Sequence, residues 1–299
     1  MANTVLVTGG AGFIGTHSVK ELQRFGFDVM IVDRKEKPMW FNGLYYQNDV
    51  NDLEKTEKIF NENKIDYILH LAALPSVSES CRNPQVDCYE NYLTTVNICS
   101  LAKKYSIKKF VFSSTAAVYA NPKYLPIDEK HPTDFLSPYS ITKFASENFI
   151  KYIGLDYIIF RYSNVYGNGQ DSNGEAGVVS IFFDKMINKR KVTIYGNGEQ
   201  TRDFVYVKDI AKVNTLAFLM DIKNEIINVS SNSSISINKL FFIIKNSVGY
   251  DILPNYSKER TGDIKHSILD NHKLINLMKI CPSVNISENI KEMKTFICK

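Results

Sequence analysis

Tyr139 and Lys143 stand four residues apart in Ser137-Pro138-Tyr139-Ser140-Ile141-Thr142-Lys143. Ser137 is suited to cap a helix and Pro138 to begin one, so both side chains fall on one helical face, with the ammonium beside the phenol. A nearby cation favours phenolate and draws down a tyrosine pKa that starts at about 10, making Tyr139 a candidate acid/base at neutral pH. Alone, Tyr-x-x-x-Lys is a common surface accident. It gains weight here because it follows a strand end, Ser113-Ser114-Thr115, and a glycine-rich loop at the start of the chain.

That loop closes Thr4-Val5-Leu6-Val7-Thr8-Gly9-Gly10-Ala11-Gly12-Phe13-Ile14-Gly15, an apolar strand running into glycines and then a helix. Glycines at 9, 12 and 15 allow a tight turn, close approach of N–H groups to a pyrophosphate, and close packing of helix on strand. Asp33 ends a second strand, Asp28–Asp33, which completes a dinucleotide fingerprint. A carboxylate there accepts bonds from ribose hydroxyls and repels a 2′-phosphate, so NAD is favoured over NADP. Arg34 and Lys35 follow directly and could attract a phosphate.

The elements that must position these residues alternate. A short strand at 44–47, a helix at about 52–63, a buried strand at 66–71, a helix at about 88–105, the strand 109–114, a helix at 138–153 and the strand 156–161 succeed one another. Apolar strands alternating with helices predict an α/β fold, a Rossmann-type doubly wound parallel sheet with ligands beyond the carboxyl ends of its strands. Gly9, Asp33, Asp49, Ala72-Ala73, Ser113–Thr115 and Arg161–Asn164 all fall at such ends. From about Tyr166, long glycine- and asparagine-rich loops break the pattern and predict a smaller α/β C-terminal substrate domain. The expected division is 1–165 for the NAD-binding domain and 166–299 mainly for substrate, with about 204–228 returning to the first.

The chain's 299 residues, 44% of them hydrophobic, suffice for both domains. No stretch is apolar enough to span a bilayer, and a first strand at Thr4 without a leader predicts a cytoplasmic protein. Five cysteines, odd in number and without metal-ligand spacing, fit free thiols and no metal site. A formal charge of +4 with no basic block or basic-aromatic surface argues against a nucleic-acid partner.

The sequence resembles the extended short-chain dehydrogenase/reductases, and within them the NAD-dependent nucleotide-sugar epimerases typified by UDP-glucose 4-epimerase. The resemblance covers nearly the whole chain: residues 8–15, Asp49-Val50, His70-Leu71-Ala72-Ala73, Ser113-Ser114-Thr115, Tyr139 with Lys143, and residues 161–167, 174–179, 201–207 and 260–263. It implies that NAD lies along Gly9, Gly12, Phe13, Ile14, Gly15, Asp33, Asp49, Val50, Leu71, Ala72, Ala73, Asn91, Ser113, Tyr139 and Lys143. Asp49 and Val50 would hold the adenine, Asn91 the cofactor-side scaffold, and Lys143 the nicotinamide ribose. Thr115 would bond the reacting sugar oxygen and Tyr139 would act as base. Asn164, Val178, Arg202, Arg260, Asp263 and Ser267 would line the site of a UDP-sugar, the arginines matching its diphosphate. The family's pairing habit implies a homodimer through the helices containing 88–105 and 139–153. Ala120 and Thr94 replace glycines usual in the family.

Ala116 and Ala117 follow Thr115 where sugar-nucleotide dehydratases and decarboxylases of this family carry acids. That leaves reversible oxidation at C4 as the reaction the resemblance implies. Ser267, seven residues after Arg260, is small where a tyrosine would confine the site to glucose and galactose, so UDP-GlcNAc and UDP-GalNAc are expected substrates too. Alternatives are a 4-keto-sugar reductase, an epimerase acting at another carbon, and a non-catalytic NAD sensor, against which the intact Thr115–Tyr139–Lys143 set speaks.

Overall fold

Strands form where β-branched and aromatic residues cluster. In the computed structural model, which describes residues 2–172, 177–259 and 264–297, they are β1 (Thr4–Thr8), β2 (Asp28–Asp33), β3 (Leu44–Gln47), β4 (Tyr67–His70), β5 (Lys109–Thr115), β6 (Tyr157–Tyr162), β7 (Asn164–Tyr166), β8 (Thr193–Tyr195), β9 (Thr201–Tyr206), β10 (Glu225–Val229), β11 (Ser234–Ser236) and β12 (Asn255–Ser257). Seven make one sheet in the order β10-β6-β5-β4-β1-β2-β3. Its central pairings are parallel, as in Val5↔Val29, Thr8↔His70 and Tyr67↔Lys109. The chain's direction of travel across the sheet reverses between β1 and β4, which opens a crevice at their carboxyl ends.

Both faces of this sheet are covered. Leu6, Ile68, Phe110, Phe112 and Ile159 pack against Ile59, Phe60, Ile98 and Ile150 from the helices Leu53–Glu62, Thr94–Lys104 and Pro138–Ile153. The intervening Val5, Val7, Leu69 and Val111 are equally inaccessible. The helix Phe13–Arg24 lies against β1 and β2, and the Asn214 amide of the helix Val207–Leu219 donates to its Ser18 hydroxyl (3.0 Å).

The chain divides into two compact units. The first comprises Met1–Val118, Ser137–Arg161 and Ile210–Ile227; the second comprises Tyr119–Leu136, Tyr162–Asp209 and Asn228–Lys299. The second holds a three-stranded sheet, β11-β9-β7, a two-stranded one, β12-β8, and the helices Val178–Ile187, Ile237–Val248 and Ile286–Ile297. Among the described residues no helix is long and apolar enough to cross a membrane.

Three details depart from the expectation. The boundary falls after Arg161 rather than 165, because β7 pairs with β9. Residues 204–209 belong with the second unit for the same reason, and the return begins at Ile210. Tyr119–Leu136 also belongs there, because the Tyr119 hydroxyl donates to Asn228 (2.7 Å) and Ile127 bonds Ile268 and Asp270 through the backbone.

Ala120, which stands where the family has glycine, keeps a left-handed backbone (φ +48°) and is buried. Ala→Gly in regular structure costs about 0.5–1 kcal/mol, whereas an L-residue held left-handed is strained by about 1–2 kcal/mol. Ala120→Gly is therefore expected to be neutral or stabilising in urea unfolding; a loss beyond about 1 kcal/mol would contradict this account.

Candidate functional site

The fingerprint loop is built without room for side chains. Gly9 has φ +71°, and a Cβ on it would lie 2.7 Å from the Ala72 nitrogen; one on Gly15 would meet the Gly9 carbonyl at 2.2 Å. Leu71 and Ala72 are held against this turn by bonds from their N–H groups to the Thr8 carbonyl (3.1 Å) and hydroxyl (3.3 Å). The helix Phe13–Arg24 starts at Gly12 with no side-chain cap and no acid in its first turn. Asp52, Ser76 and Ser137 cap three other helices of the same unit. Uncapped first-turn N–H groups, here those around Phe13 and Ile14, suit a pyrophosphate.

Asp33 accepts from the N–H of Ala11 (2.9 Å) and of Lys35 (3.0 Å), which fixes its carboxylate beside the loop. Asp49 accepts from Asn51 N–H (2.8 Å). Val50 sends its side chain into the core, so only its backbone is available to an adenine. The Asn91 amide is engaged within the protein: it accepts from Leu74 N–H (2.8 Å) and donates to the Leu74 carbonyl (3.2 Å) and to Asp87 (2.6 Å). It braces the segment that follows Ala72-Ala73. These features fit a bound dinucleotide.

Thr115, Tyr139 and Lys143 come together in the first unit. Ser137 and Ser140 form a reciprocal capping box, Pro138 opens the helix, and left-handed Gly154 closes it. The Thr115 hydroxyl accepts from Ala117 N–H (3.1 Å) and lies near enough to the Tyr139 phenol to favour its ionised form. Ser113 precedes them in β5, half-buried. Lys143 is buried, its ammonium 4.5 Å from the centre of the Phe112 ring. The expected lowering of the phenol is not found. Burial pushes Tyr139 up to about 12 although the nearby Thr115 hydroxyl pulls it down, and Lys143 falls to about 8 by burial. Loss of water outweighs the Thr115 contribution, and the Asp87 carboxylate opposes phenolate further.

Two acids that the sequence reading passed over surround this pair. Glu147 is buried and accepts from the Ser114 hydroxyl (2.5 Å), Arg161 Nε (2.9 Å) and Arg161 Nη2 (2.6 Å). Arg161, expected among ligand-side residues, is thus turned into the core. Asp87 is also buried and accepts from the Thr142 hydroxyl (2.7 Å) as well as from Asn91. Both carboxylates favour the charged form of Lys143. A signal for Glu147 existed: Tyr139, Lys143 and Glu147 repeat every four residues along one helical face.

The second unit brings Asn164, Arg202 and Ser267 to one small region. The Asn164 amide donates to the Asp203 carbonyl (2.9 Å), Arg202 Nη1 donates to the Thr201 carbonyl (2.9 Å), and Ser267 N–H donates to that same carbonyl (3.2 Å). Val178 begins a helix at some distance in sequence, half-buried. Arg260 and Asp263 lie outside the described residues.

Residues 5–230 match the model of the NAD dependent epimerase/dehydratase family. The chain belongs to that family. It is 43% identical over 298 residues, 97% of this chain and 96% of the other, to a Methanocaldococcus jannaschii protein provisionally named a UDP-glucose 4-epimerase. The structure of a Thermotoga maritima UDP-glucose 4-epimerase with UDP-glucose superimposes with a TM-score of 0.93 at 38% identity, covering 99% of this chain and 100% of that one. A Methanobrevibacter ruminantium UDP-N-acetylglucosamine 4-epimerase in complex with UDP-N-acetylmuramic acid does so with 0.92 at 37%, covering 100% and 99%. The protein is accordingly an NAD-dependent nucleotide-sugar epimerase, and NAD is its cofactor.

Within this epimerase the Glu147–Arg161 pair carries a direct prediction. Arg161→Met strips a buried carboxylate of its bonded cation and should lower unfolding stability by about 3–5 kcal/mol in urea titrations. A loss under about 1 kcal/mol would mean that the pair is dispensable.

Proposed function

We propose that the enzyme interconverts the C4 epimers of UDP-hexoses, taking UDP-GlcNAc and UDP-GalNAc as well as UDP-glucose and UDP-galactose. The observation that carries this reading is the Thr115 hydroxyl near the Tyr139 phenol, with Lys143 buried one turn further along the same helix, followed by Ala116 and Ala117, which offer no further acid or base. Such a set supports proton transfer at one hydroxyl and little else. When bound, NAD supplies the hydride acceptor and donor at C4 and, through its cationic ring, charge that favours phenolate.

The chain's own residues handle the proton and the pose. Tyr139 removes the proton of the C4 hydroxyl and returns one to the same oxygen after the 4-keto sugar has presented its other face. Thr115 bonds the phenol and the sugar oxygen and so aligns them. Lys143 holds positive charge next to the phenol and would hold the nicotinamide ribose. On the second unit, Asn164, Val178, Arg202 and Ser267, with Arg260 and Asp263, would take the uridine diphosphate and the sugar's C2 substituent. Small Ser267 and the likeness to the Methanobrevibacter UDP-N-acetylglucosamine 4-epimerase support room for an N-acetyl group.

Incubation with UDP-glucose or UDP-GlcNAc and NAD alone, followed by proton NMR, should show the galacto epimer without net NADH; net reduction of a 4-keto sugar would instead identify a reductase. Tyr139→Phe should lose about 10²–10⁴-fold in rate. Lys143 is charged below about 8, so its contribution is present at neutral pH and kcat/KM should fall as pH rises through that value. Ser267→Tyr should retain UDP-glucose turnover and lose UDP-GlcNAc; full activity on the N-acetylated sugar would refute the role of Ser267.

A homodimer through the helices that contain 88–105 and 138–153 forms part of the proposal. Tyr89, Leu93, Ile141 and Tyr152 expose large apolar surfaces there, Tyr152 to 84%. Sedimentation equilibrium should return twice the 34.1 kDa chain mass, and Ile141→Glu with Tyr152→Glu should return the monomer; a monomeric parent protein would defeat the idea. Unpaired thiols at Cys81, Cys88, Cys99 and Cys281 suit a cytoplasmic location.

A further inference from the structure

The segment Asp33-Arg34-Lys35 at the end of β2 carries opposed instructions. Asp33 selects a free ribose, while an arginine in this neighbourhood is what accommodates the 2′-phosphate of NADP. Arg34 is not at liberty to do so. Its Nη1 donates to Glu90 Oε1 at 2.7 Å and lies 3.7 Å from Asp49 Oδ2. Glu90 comes from a distant part of the chain, on the π-helical turn Cys88–Leu93. Its carboxylate is the more sheltered partner: 17% of that side chain is exposed, against 56% for Arg34.

The turn that presents Glu90 is itself anchored. The Thr94 hydroxyl donates to the Tyr89 carbonyl (3.2 Å) and accepts from the Asn51 amide (2.9 Å), which also donates to the Tyr89 carbonyl (3.1 Å). The Asn97 amide donates to Asn51 Oδ1 (2.9 Å). The loop after β3, which carries Asp49, is thereby tied to the turn that carries Glu90. Thr94, unusual in this family for replacing a glycine, is a working part of that tie. The arginine faces two carboxylates on a braced frame, with Asp33 adjacent in the chain.

We infer that Glu90 is a cofactor-specificity residue: by occupying Arg34 it removes the cation that would otherwise receive a 2′-phosphate, and so makes Asp33's preference for NAD effective. A phosphate arriving beside Asp33 meets Arg34 already neutralised by Glu90, with Asp49 adding negative charge. The inference depends on NAD as the cofactor and not on which sugar is turned over.

The test is displacement of radiolabelled NAD⁺ from the purified enzyme by unlabelled NADP⁺ or NAD⁺, which reads the ratio of the two affinities without catalysis. Glu90→Gln is expected to raise the NADP⁺/NAD⁺ affinity ratio about 3- to 10-fold, the scale of a partly exposed ion pair. Arg34→Gln alone should leave the ratio within about twofold, and Arg34→Gln combined with Glu90→Gln should abolish the gain. An unchanged ratio in Glu90→Gln overturns the inference. So does a gain that survives in the double variant, since Glu90 would then act by repulsion alone, and so does a marked fall in the ratio on Arg34→Gln, since Arg34 would already be serving the phosphate.

Discussion

A carboxylate with no access to water must find all its partners inside the protein, and Glu147 finds them on two different strands. The Ser114 hydroxyl reaches it from β5, the Arg161 guanidinium from β6, and Glu147 itself comes from the helix Pro138–Ile153. Desolvation makes any loosening of this arrangement costly, so strand and helix are fixed in register where it matters. Thr115 is the next residue along β5 and Lys143 lies one helical turn back from Glu147. The spacing of Thr115 and Lys143 is thus inherited from the partners of a buried carboxylate.

A second polar network braces the other side of the same helix. Thr142 is bonded to Asp87, Asp87 to Asn91, and Asn91 to both backbone groups of Leu74. Beyond it, the Thr95 hydroxyl lies 3.2 Å from His70 Nε2, and His70 Nδ1 lies 2.7 Å from the Thr8 hydroxyl that receives Ala72 N–H. Burial holds His70 down to about 3, so it stays neutral and serves as a spacer between β1 and the helix Thr94–Lys104. The cofactor loop and the Tyr139–Lys143 pair are therefore parts of one connected frame, and π-helical geometry at Cys88–Leu93 lets Asn91 and Glu90 serve different ends of it.

Much of this was legible in the chain. The glycine loop, Asp33, the alternation of strands and helices and the cap of the Pro138 helix rest on local rules of backbone freedom, periodicity and capping, and they appear where those rules put them. Local rules failed where partners lie far apart in sequence. Phe204–Val207 has the composition of a core strand, yet β9 pairs with β7 and β11. Arg161 sits at a strand end where ligand residues gather, yet Glu147 draws it inward. The four-residue spacing of Tyr139 and Lys143 suggested a lowered phenol pKa, yet burial overrides it.

The amino-acid sequence by itself determined the dinucleotide fold, the placing of Tyr139 and Lys143 on one helix and the nucleotide-sugar epimerase family, because each rests on residue types at short, fixed separations. Only the tertiary structure decided which charges are available for binding. Arg34 and Arg161 are both arginines at strand ends; one is held at the rim by Glu90 and the other in the interior by Glu147. An ion pair between residues 56 positions apart leaves no periodic trace in a sequence. Whether a cation is spent on the protein or left for a ligand is settled by where folding places its carboxylate.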